Sequence, residues 1–288
     1  MTTFHLKLLA LVLMLIDHIG LFFPFTPIWF RWLGRLSAPL FIFCMVYGFS
    51  YTKNRKIYLI RMYLFGAGMG IVDFILNSFN KGDLVINNIF VTLFSIAIII
   101  KLIDLIREHN TMWKIYLLIF LIWQILSLFI CYFTSVNCNE SFTYLIMGFM
   151  GNIFYNEGGF IFVLLGVILY YFKESKKITA LFYSIFCILY SFITITDLVP
   201  RVMSRIQYYG FDTMYNVLSI IFPLLGSRTI GIYFDSILYV DFQWMMIGAL
   251  PFMLLYNGKE GKKLKYFFYI FYPAHILILF IISMLLLK

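Results

Sequence analysis

The sequence has few charged residues and few side chains that can carry polar chemistry. Only 12% of its 288 residues are charged, about half the share found in a soluble domain. This deficit excludes an ordinary soluble fold, and the mean hydropathy of +0.94 favours a protein that crosses a membrane many times. The net charge of +9 is spread over short loops, so we predict no nucleic-acid partner.

Cysteine is also scarce. The four cysteines form no CxxC pair and none of the spacings typical of a metal site, so we predict no metal. No small-x-small cleavage site follows the first apolar run, because the next segment is Pro24-Phe25-Thr26-Pro27. We therefore interpret that run as a retained first span and not as a cleaved signal.

The apolar runs predict an all-α fold, because lipid cannot satisfy the peptide groups of an open backbone. We expect a single polytopic transmembrane helix bundle over residues 1–288, with nine to eleven spans. Two shorter apolar stretches, 142–156 and 213–226, could be extra spans, re-entrant segments or interfacial helices. The nine predicted spans are 6–23, 37–52, 57–77, 84–106, 114–134, 158–172, 178–196, 236–256 and 266–287.

The basic residues predict the orientation of these spans. Of the 22 lysines and arginines, fifteen fall on one side of the predicted membrane. Loops rich in basic residues face the cytoplasm. We therefore predict a multi-pass protein of the cell membrane with its N-terminus in the cytoplasm.

Two of the four histidines lie inside apolar runs. His18 follows Asp17 in the first predicted span, and His275 follows the helix-bending Pro273 in the last one. An ionisable side chain in hydrocarbon usually marks a functional interior, and imidazole can act as a base or nucleophile near neutral pH. We predict catalytic roles for Asp17, His18 and His275, with both histidines facing one cavity reachable from both sides of the membrane.

Asp17 need not be the partner of His18. Neighbouring residues of a helix point about 100° apart, so Asp17 either pairs with His18 through a distortion near Gly20 or pins Arg35 of another helix. A guanidinium is suited to bind carboxylate or phosphate, which makes Arg35 a candidate ligand residue. The alternative for the arginines on the outer side, including Arg31, is simple anchoring at the membrane interface.

Strings at both ends of the chain carry a resemblance to a known family. The strings are Leu6 to Gly20, Gly34 to Phe41, Gly48 to Arg61 and Leu255 to His275. They resemble the TraX family of integral membrane proteins. That family is linked to N-terminal acetylation of a conjugative pilin subunit and is similar to the wider transmembrane acyltransferases. The resemblance therefore implies an integral membrane acyltransferase.

The resemblance also implies the reactants. The expected donor is acetyl-CoA on the cytoplasmic side, and the expected acceptor is an amino or hydroxyl group of a pilin-like peptide or a glycan. The basic residues after the second span can hold the donor's phosphates, or they simply reflect the positive-inside bias. The residues expected to bind substrate or donor are Arg35, Lys53, Arg55, Lys56, Tyr272, Asn88 and Glu157.

Two other functions remain open at this point. One is a noncatalytic assembly factor of a conjugation or secretion system. The other is a small-molecule transporter, although transporters often show internal repeats and paired broken helices. The Asp17-His18 run has no second copy in the sequence, which counts against a transporter.

Overall fold

A computed structural model describes residues 1–79, 88–196, 198–224, 238–239 and 241–286. Helices are the only regular secondary structure in this part of the chain. Their bounds are α1 Thr3–Phe22, α2 Trp29–Gly34, α3 Ser37–Tyr51, α4 Arg55–Phe79, α5 Ile89–Arg107, α6 Trp113–Asn137, α7 Glu140–Met150, α8 Gly159–Phe172, α9 Lys176–Ile195, α10 Leu198–Tyr208, α11 Asp212–Leu224, a 3₁₀ helix Gln243–Ala249, α12 Leu250–Leu254 and α13 Lys265–Leu286. The prediction of an all-α polytopic membrane fold is confirmed.

Seven helical segments in the described ranges are long and apolar enough to cross a bilayer. They are Thr3–Phe22, Trp29–Tyr51, Arg55–Phe79, Ile89–Arg107, Trp113–Asn137, Lys176–Ile195 and Tyr266–Leu286. The predicted spans 158–172 and 236–256 correspond to two shorter apolar helices, Gly159–Phe172 and Gln243–Leu254. Residues 84–87, 225–226, 236–237, 240 and 287, which belong to predicted apolar segments, lie outside the described ranges.

The chain forms two compact units. The first unit contains Met1–Cys44 and Tyr171–Lys263, and the second contains Met45–Tyr170 and Leu264–Lys288. Each unit therefore combines an N-terminal part of the chain with a later part. The expectation of one domain over 1–288 stays a prediction.

In the first unit, α1 packs against α2 at glycine positions. A Cβ at Gly20 would lie 2.9 Å from Cβ of Phe30, and a Cβ at Gly34 would overlap the side chain of Asp17. These glycines let the two helices approach closely and bring Asp17 to the arginines of the next segment. Elsewhere in this unit the Tyr183 hydroxyl of α9 donates to the Met246 carbonyl at 2.6 Å, which ties α9 to the 3₁₀ helix.

In the second unit, α5 begins beside the middle of α4. The Asn88 amide donates to the Gly66 carbonyl at 2.9 Å, and a Cβ at Gly66 would lie 3.2 Å from Val91. Gly66 is the twelfth of the 25 residues of α4. The first residues of α5 therefore lie deep within the thickness that α4 spans.

The helix α7 occupies the length of α4 beyond the start of α5. The backbones of the two helices are in close contact at Gly148 and Gly70, since a Cβ at Gly148 would lie 2.7 Å from the Gly70 Cα. Close approach of small residues is a common way for membrane helices to associate. The predicted stretch 142–156 is thus a short helix that ends at Met150, followed by nonhelical chain.

The nonhelical segment between α7 and α8 is held by polar contacts. The Asn152 amide donates to the Gln124 carbonyl at 3.0 Å and to the Ser127 hydroxyl oxygen at 2.8 Å, and the Gln124 amide oxygen accepts from the backbone N–H of Ile153 at 2.9 Å. Irregular backbone at membrane depth is tolerated where protein satisfies it. The predicted span 158–172 corresponds to a helix of only 14 residues, α8, which is about 21 Å long. Nonhelical chain separates it from α7.

Candidate functional site

Asp17 forms ion pairs with two arginines in the first unit. Its Oδ1 lies 2.7 Å from Arg31 Nη1, and its Oδ2 lies 3.2 Å from Arg35 Nη2. We call Asp17, Arg31 and Arg35 the Asp17 cluster. Of the two arrangements that the sequence left open, pairing with Arg35 is present. Arg31, for which simple anchoring at the membrane interface is the alternative expectation from the sequence, is a second partner of the same carboxylate.

His18 is buried next to this cluster, with only 4% of its surface exposed. Its helix begins with a capping box in which the Thr2 hydroxyl accepts from the His5 backbone N–H at 3.4 Å, so α1 is well defined from its first turn. Since both Asp17 oxygens are engaged by arginines, Asp17 holds α1 against α2. The structure therefore shows Asp17 joining α1 to α2, while catalytic roles of Asp17 and His18 stay predictions.

In the second unit, Tyr272 lies at the centre of another polar group. Its hydroxyl lies 3.2 Å from Glu157 Oε2, to which it donates, and it accepts from the Ile89 backbone N–H at 3.4 Å. We call Asn88, Ile89, Glu157 and Tyr272 the Tyr272 cluster. Because Ile89 is the first residue of α5, the hydroxyl satisfies one of the N–H groups that a helix leaves open at its start.

The break between α7 and α8 contributes to the same group. Thr92 of α5 donates to the Glu157 carbonyl at 2.7 Å and lies 2.9 Å from Asn156 Oδ1. Asn88 is buried, and within the described residues its amide oxygen has no hydrogen-bond partner. The structure thus brings together three of the residues predicted to bind substrate or donor, namely Asn88, Glu157 and Tyr272.

His275 lies one helical turn from Tyr272 and is also 4% exposed. Its ring stacks on Phe271 at a centroid distance of 5.2 Å and meets the Tyr272 ring edge-on at 5.7 Å. His275 Nδ1 lies 2.9 Å from the Phe271 carbonyl oxygen. Since a carbonyl only accepts, Nδ1 is the donor in this contact, and in a neutral ring Nε2 is then the nitrogen able to take up a proton.

His18 belongs to the first unit and His275 to the second. The expectation that they face one cavity stays a prediction, and so do their catalytic roles.

The three basic residues predicted to bind the donor differ in their surroundings. Lys53 and Lys56 are exposed. Arg55 instead forms an ion pair with Asp104, and its guanidinium lies 5.2 Å from the centre of the Phe49 ring. The Arg55 side chain is therefore held by contacts within the second unit, whereas the two lysine side chains are exposed.

Sequence reasoning missed the partners of Arg55. Tyr170 of α8 also donates to Asp104, and Arg107 lies with its guanidinium 5.3 Å from the Tyr170 ring. We call Arg55, Asp104, Arg107 and Tyr170 the Asp104 cluster. The signal that could have found it is an aspartate inside the apolar run 84–106, because such a carboxylate requires a partner.

The fold and these clusters define a multi-pass, all-helical membrane protein with ionisable side chains buried in spanning helices. The family model described as TraX protein matches residues 3–283. The chain belongs to the TraX family, and the resemblance seen at both ends of the sequence is confirmed over nearly its whole length.

A curated relative matches a shorter part of the chain. It is described as a probable fimbrial assembly protein FimC, serogroup H1, of Dichelobacter nodosus, and it is 37% identical over 70 residues. The match covers 23% of this chain and 29% of that protein, so the chain spans less than a third of the relative's length. No solved structure matches the chain.

Proposed function

We propose that this protein is an integral membrane acyltransferase that moves an acetyl group from acetyl-CoA to an amino or hydroxyl group. The observation that supports this most directly is the burial of His18 in a spanning helix of a TraX-family chain. Burying an ionisable group in a membrane is costly, and such groups are usually retained for function. The acceptor in this proposal is a pilin-like peptide or a glycan.

In the proposed reaction the acceptor nitrogen or oxygen attacks the thioester carbon of the donor. A new C–N or C–O bond forms while the C–S bond breaks, and His18 takes the proton of the acceptor. The protonated imidazole then returns this proton to the departing thiolate of coenzyme A. Asp17, paired with Arg31 and Arg35, fixes the helix that carries His18.

In the second unit, the Tyr272 cluster offers an alternative set of hydrogen-bond donors and acceptors for acyl transfer. The start of α5 carries the positive end of a helix dipole, and donors of this kind stabilise the oxyanion of acyl transfer. His275, whose Nδ1 contacts a carbonyl, is the second candidate base. The exposed Lys53 and Lys56 are assigned to the donor's phosphates, which benefit from positive charge.

The direct test is acetyl transfer by purified protein in lipid nanodiscs, with radiolabelled acetyl-CoA and a peptide that carries a free amino terminus. We expect His18→Ala to abolish transfer and to leave the elution profile on gel filtration unchanged. The matched control is His109→Asn, because His109 is exposed in a loop at a φ of 50°, a conformation that asparagine also adopts. Normal turnover by a well-folded His18→Ala protein would refute the central role of this imidazole.

A noncatalytic role in pilus assembly is the second candidate. It is favoured by the description of the relative as a probable fimbrial assembly protein. An assembly factor needs no acyl donor, so it predicts that purified wild-type protein neither binds nor consumes acetyl-CoA. Equilibrium dialysis with labelled acetyl-CoA therefore separates the two functions before any acceptor is known.

A further inference from the structure

The Asp17 cluster carries more positive than negative charge. Two guanidinium groups face one carboxylate, which leaves a formal charge of about +1 when all three are ionised. Both arginines belong to Trp29–Tyr51 and Asp17 belongs to Thr3–Phe22, two of the segments apolar enough to cross a bilayer. A surplus charge in such surroundings is costly unless an anion compensates it.

The hydrogen bonds of the cluster use only part of the two guanidinium groups. Arg31 contacts Asp17 through Nη1, and Arg35 uses Nη2 for Asp17 and Nε for the Arg31 carbonyl at 3.4 Å. Across the ranges that the structure describes, Arg31 Nε and Nη2 and Arg35 Nη1 make no hydrogen bond. About a fifth of each arginine side chain is accessible, at 22%. An anion can therefore reach nitrogens that Asp17 does not occupy.

The position of the cluster along α1 indicates where such an anion would be found. Asp17 lies five residues before the end of α1 at Phe22, about 7 Å along the helix axis. The aromatic residues Trp29 and Trp32 stand in the same segment as Arg31, and such residues are typical of the boundary between hydrocarbon and headgroups. Arginine side chains extend over this distance to reach phosphates.

We propose that the Asp17 cluster binds a phosphodiester anion, the group that glycerophospholipid headgroups carry. A phosphodiester has one negative charge and therefore neutralises the surplus of the cluster, while its oxygens accept from both guanidinium groups. Asp17 is a like charge beside the bound anion and therefore weakens its binding. The proposal does not depend on acyl transfer, and a phosphodiester-bearing acceptor would use the same nitrogens as a membrane lipid.

The test measures the affinity of the full-length protein, purified in a nonionic detergent, for dihexanoyl phosphatidylglycerol by isothermal titration calorimetry. We expect Arg31→Gln to weaken binding at least about tenfold, as the loss of a charged hydrogen bond implies. Asp17→Asn should bind about tenfold more tightly, because it removes a like charge beside the ligand and keeps an oxygen that accepts from the arginines. Arg205→Gln is the matched control, since Arg205 is an exposed helical arginine of the same unit, and its affinity should equal that of the wild type.

The outcomes separate the proposal from a purely structural cluster. If Asp17→Asn binds no more tightly than the wild type, or if Arg31→Gln binds like Arg205→Gln, the proposal is overturned. Equal affinity for inorganic phosphate would overturn the assignment to a diester. Binding of glycerophosphoglycerol, the same headgroup without acyl chains, would support a soluble phosphodiester ligand, whereas binding of the lipid alone supports a membrane lipid.

Two controls keep the test decisive. Should Arg31→Gln elute as an aggregate on gel filtration, the gain expected for Asp17→Asn decides the question by itself. The His18→Ala protein should keep the wild-type affinity for the phosphodiester even where it has lost acetyl transfer. Failure of the acyltransferase proposal and failure of the anion proposal are therefore distinguishable.

Discussion

Replacing Gly148 by alanine tests whether the contact between α4 and α7 determines the stability of the second unit. The new Cβ would lie 2.7 Å from the Gly70 Cα and 3.2 Å from the Gly70 nitrogen. Carbon atoms pack best at about 3.5–4.0 Å, so the two helices would have to separate by roughly 1 Å. No rotamer change relieves this overlap, because the atoms it meets belong to the backbone.

The magnitude follows from two opposing effects. Overpacking of this kind costs about 1–3 kcal/mol, whereas alanine in place of a helical glycine gains at most about 1 kcal/mol. Gly68→Ala is the matched control, since Gly68 lies on α4 and a Cβ there would meet nothing within 4 Å. The Gly68→Ala variant therefore gains helix propensity without any overpacking. The difference between the two variants should therefore be about 1–3 kcal/mol, with Gly148→Ala the less stable.

The assay is unfolding of the purified variants in mixed micelles by titration with SDS, followed by circular dichroism. Hydrogen exchange of 151–158 gives a second reading, because displacement of α7 should loosen the segment that follows it. If Gly148→Ala unfolds at the same SDS fraction as Gly68→Ala, close backbone contact between α4 and α7 does not stabilise the unit. The inference drawn from the glycine pair would then be wrong.

Three further predictions concern other parts of the molecule. Asp104→Ala should destabilise the protein by about 3–5 kcal/mol, because it leaves the Arg55 guanidinium without its carboxylate, and the same SDS titration should show Arg55→Gln to be milder. Gly34→Ala should break the Arg31–Asp17 ion pair, since its Cβ would overlap the side chain of Asp17, and calorimetry should therefore show tighter binding of the phosphodiester, as for Asp17→Asn. Cys138 is the exposed cysteine among the four and lies at the end of α6. If the predicted orientation holds, an impermeant maleimide should label Cys138 in intact cells. Labelling only after the membrane is permeabilised would reverse that orientation.

The sequence predicts the class of fold and most helices, because runs of about 20 apolar residues have few other solutions in a membrane protein. It also predicts Arg35 as one of two possible partners of Asp17, but it leaves the choice between Arg35 and His18 open. Helical geometry separates Asp17 from His18 and leaves Arg35 as the alternative, which the structure contains. These inferences succeed because they depend on composition and on local geometry.

Features set by distant contacts are less predictable. The pairing of Arg55 with Asp104 joins positions 49 residues apart, and nothing in the local pattern near Arg55 distinguishes it from the neighbouring lysines. The break after α7 likewise depends on Gln124 and Ser127 of another helix. Hydropathy alone predicts a full span over residues 158–172. It carries no information on the side chains of another helix that hydrogen-bond to the nonhelical chain before α8 and so allow α8 to be short.

The broken segment that joins α7 and α8 constrains how the chain enters the membrane during synthesis. The helix α7 has only 11 residues, about 16 Å, which is too short to cross the hydrocarbon by itself. In the chain that connects it to α8, Asn152 donates hydrogen bonds to Gln124 and Ser127 of α6. Glu157 in the same connection accepts a hydrogen bond from Tyr272 of α13. The partners on α6 precede the break in the chain, but Tyr272 is made more than one hundred residues later. The last helix must therefore be synthesised and inserted before the hydrogen bond between Tyr272 and Glu157 in this segment can form.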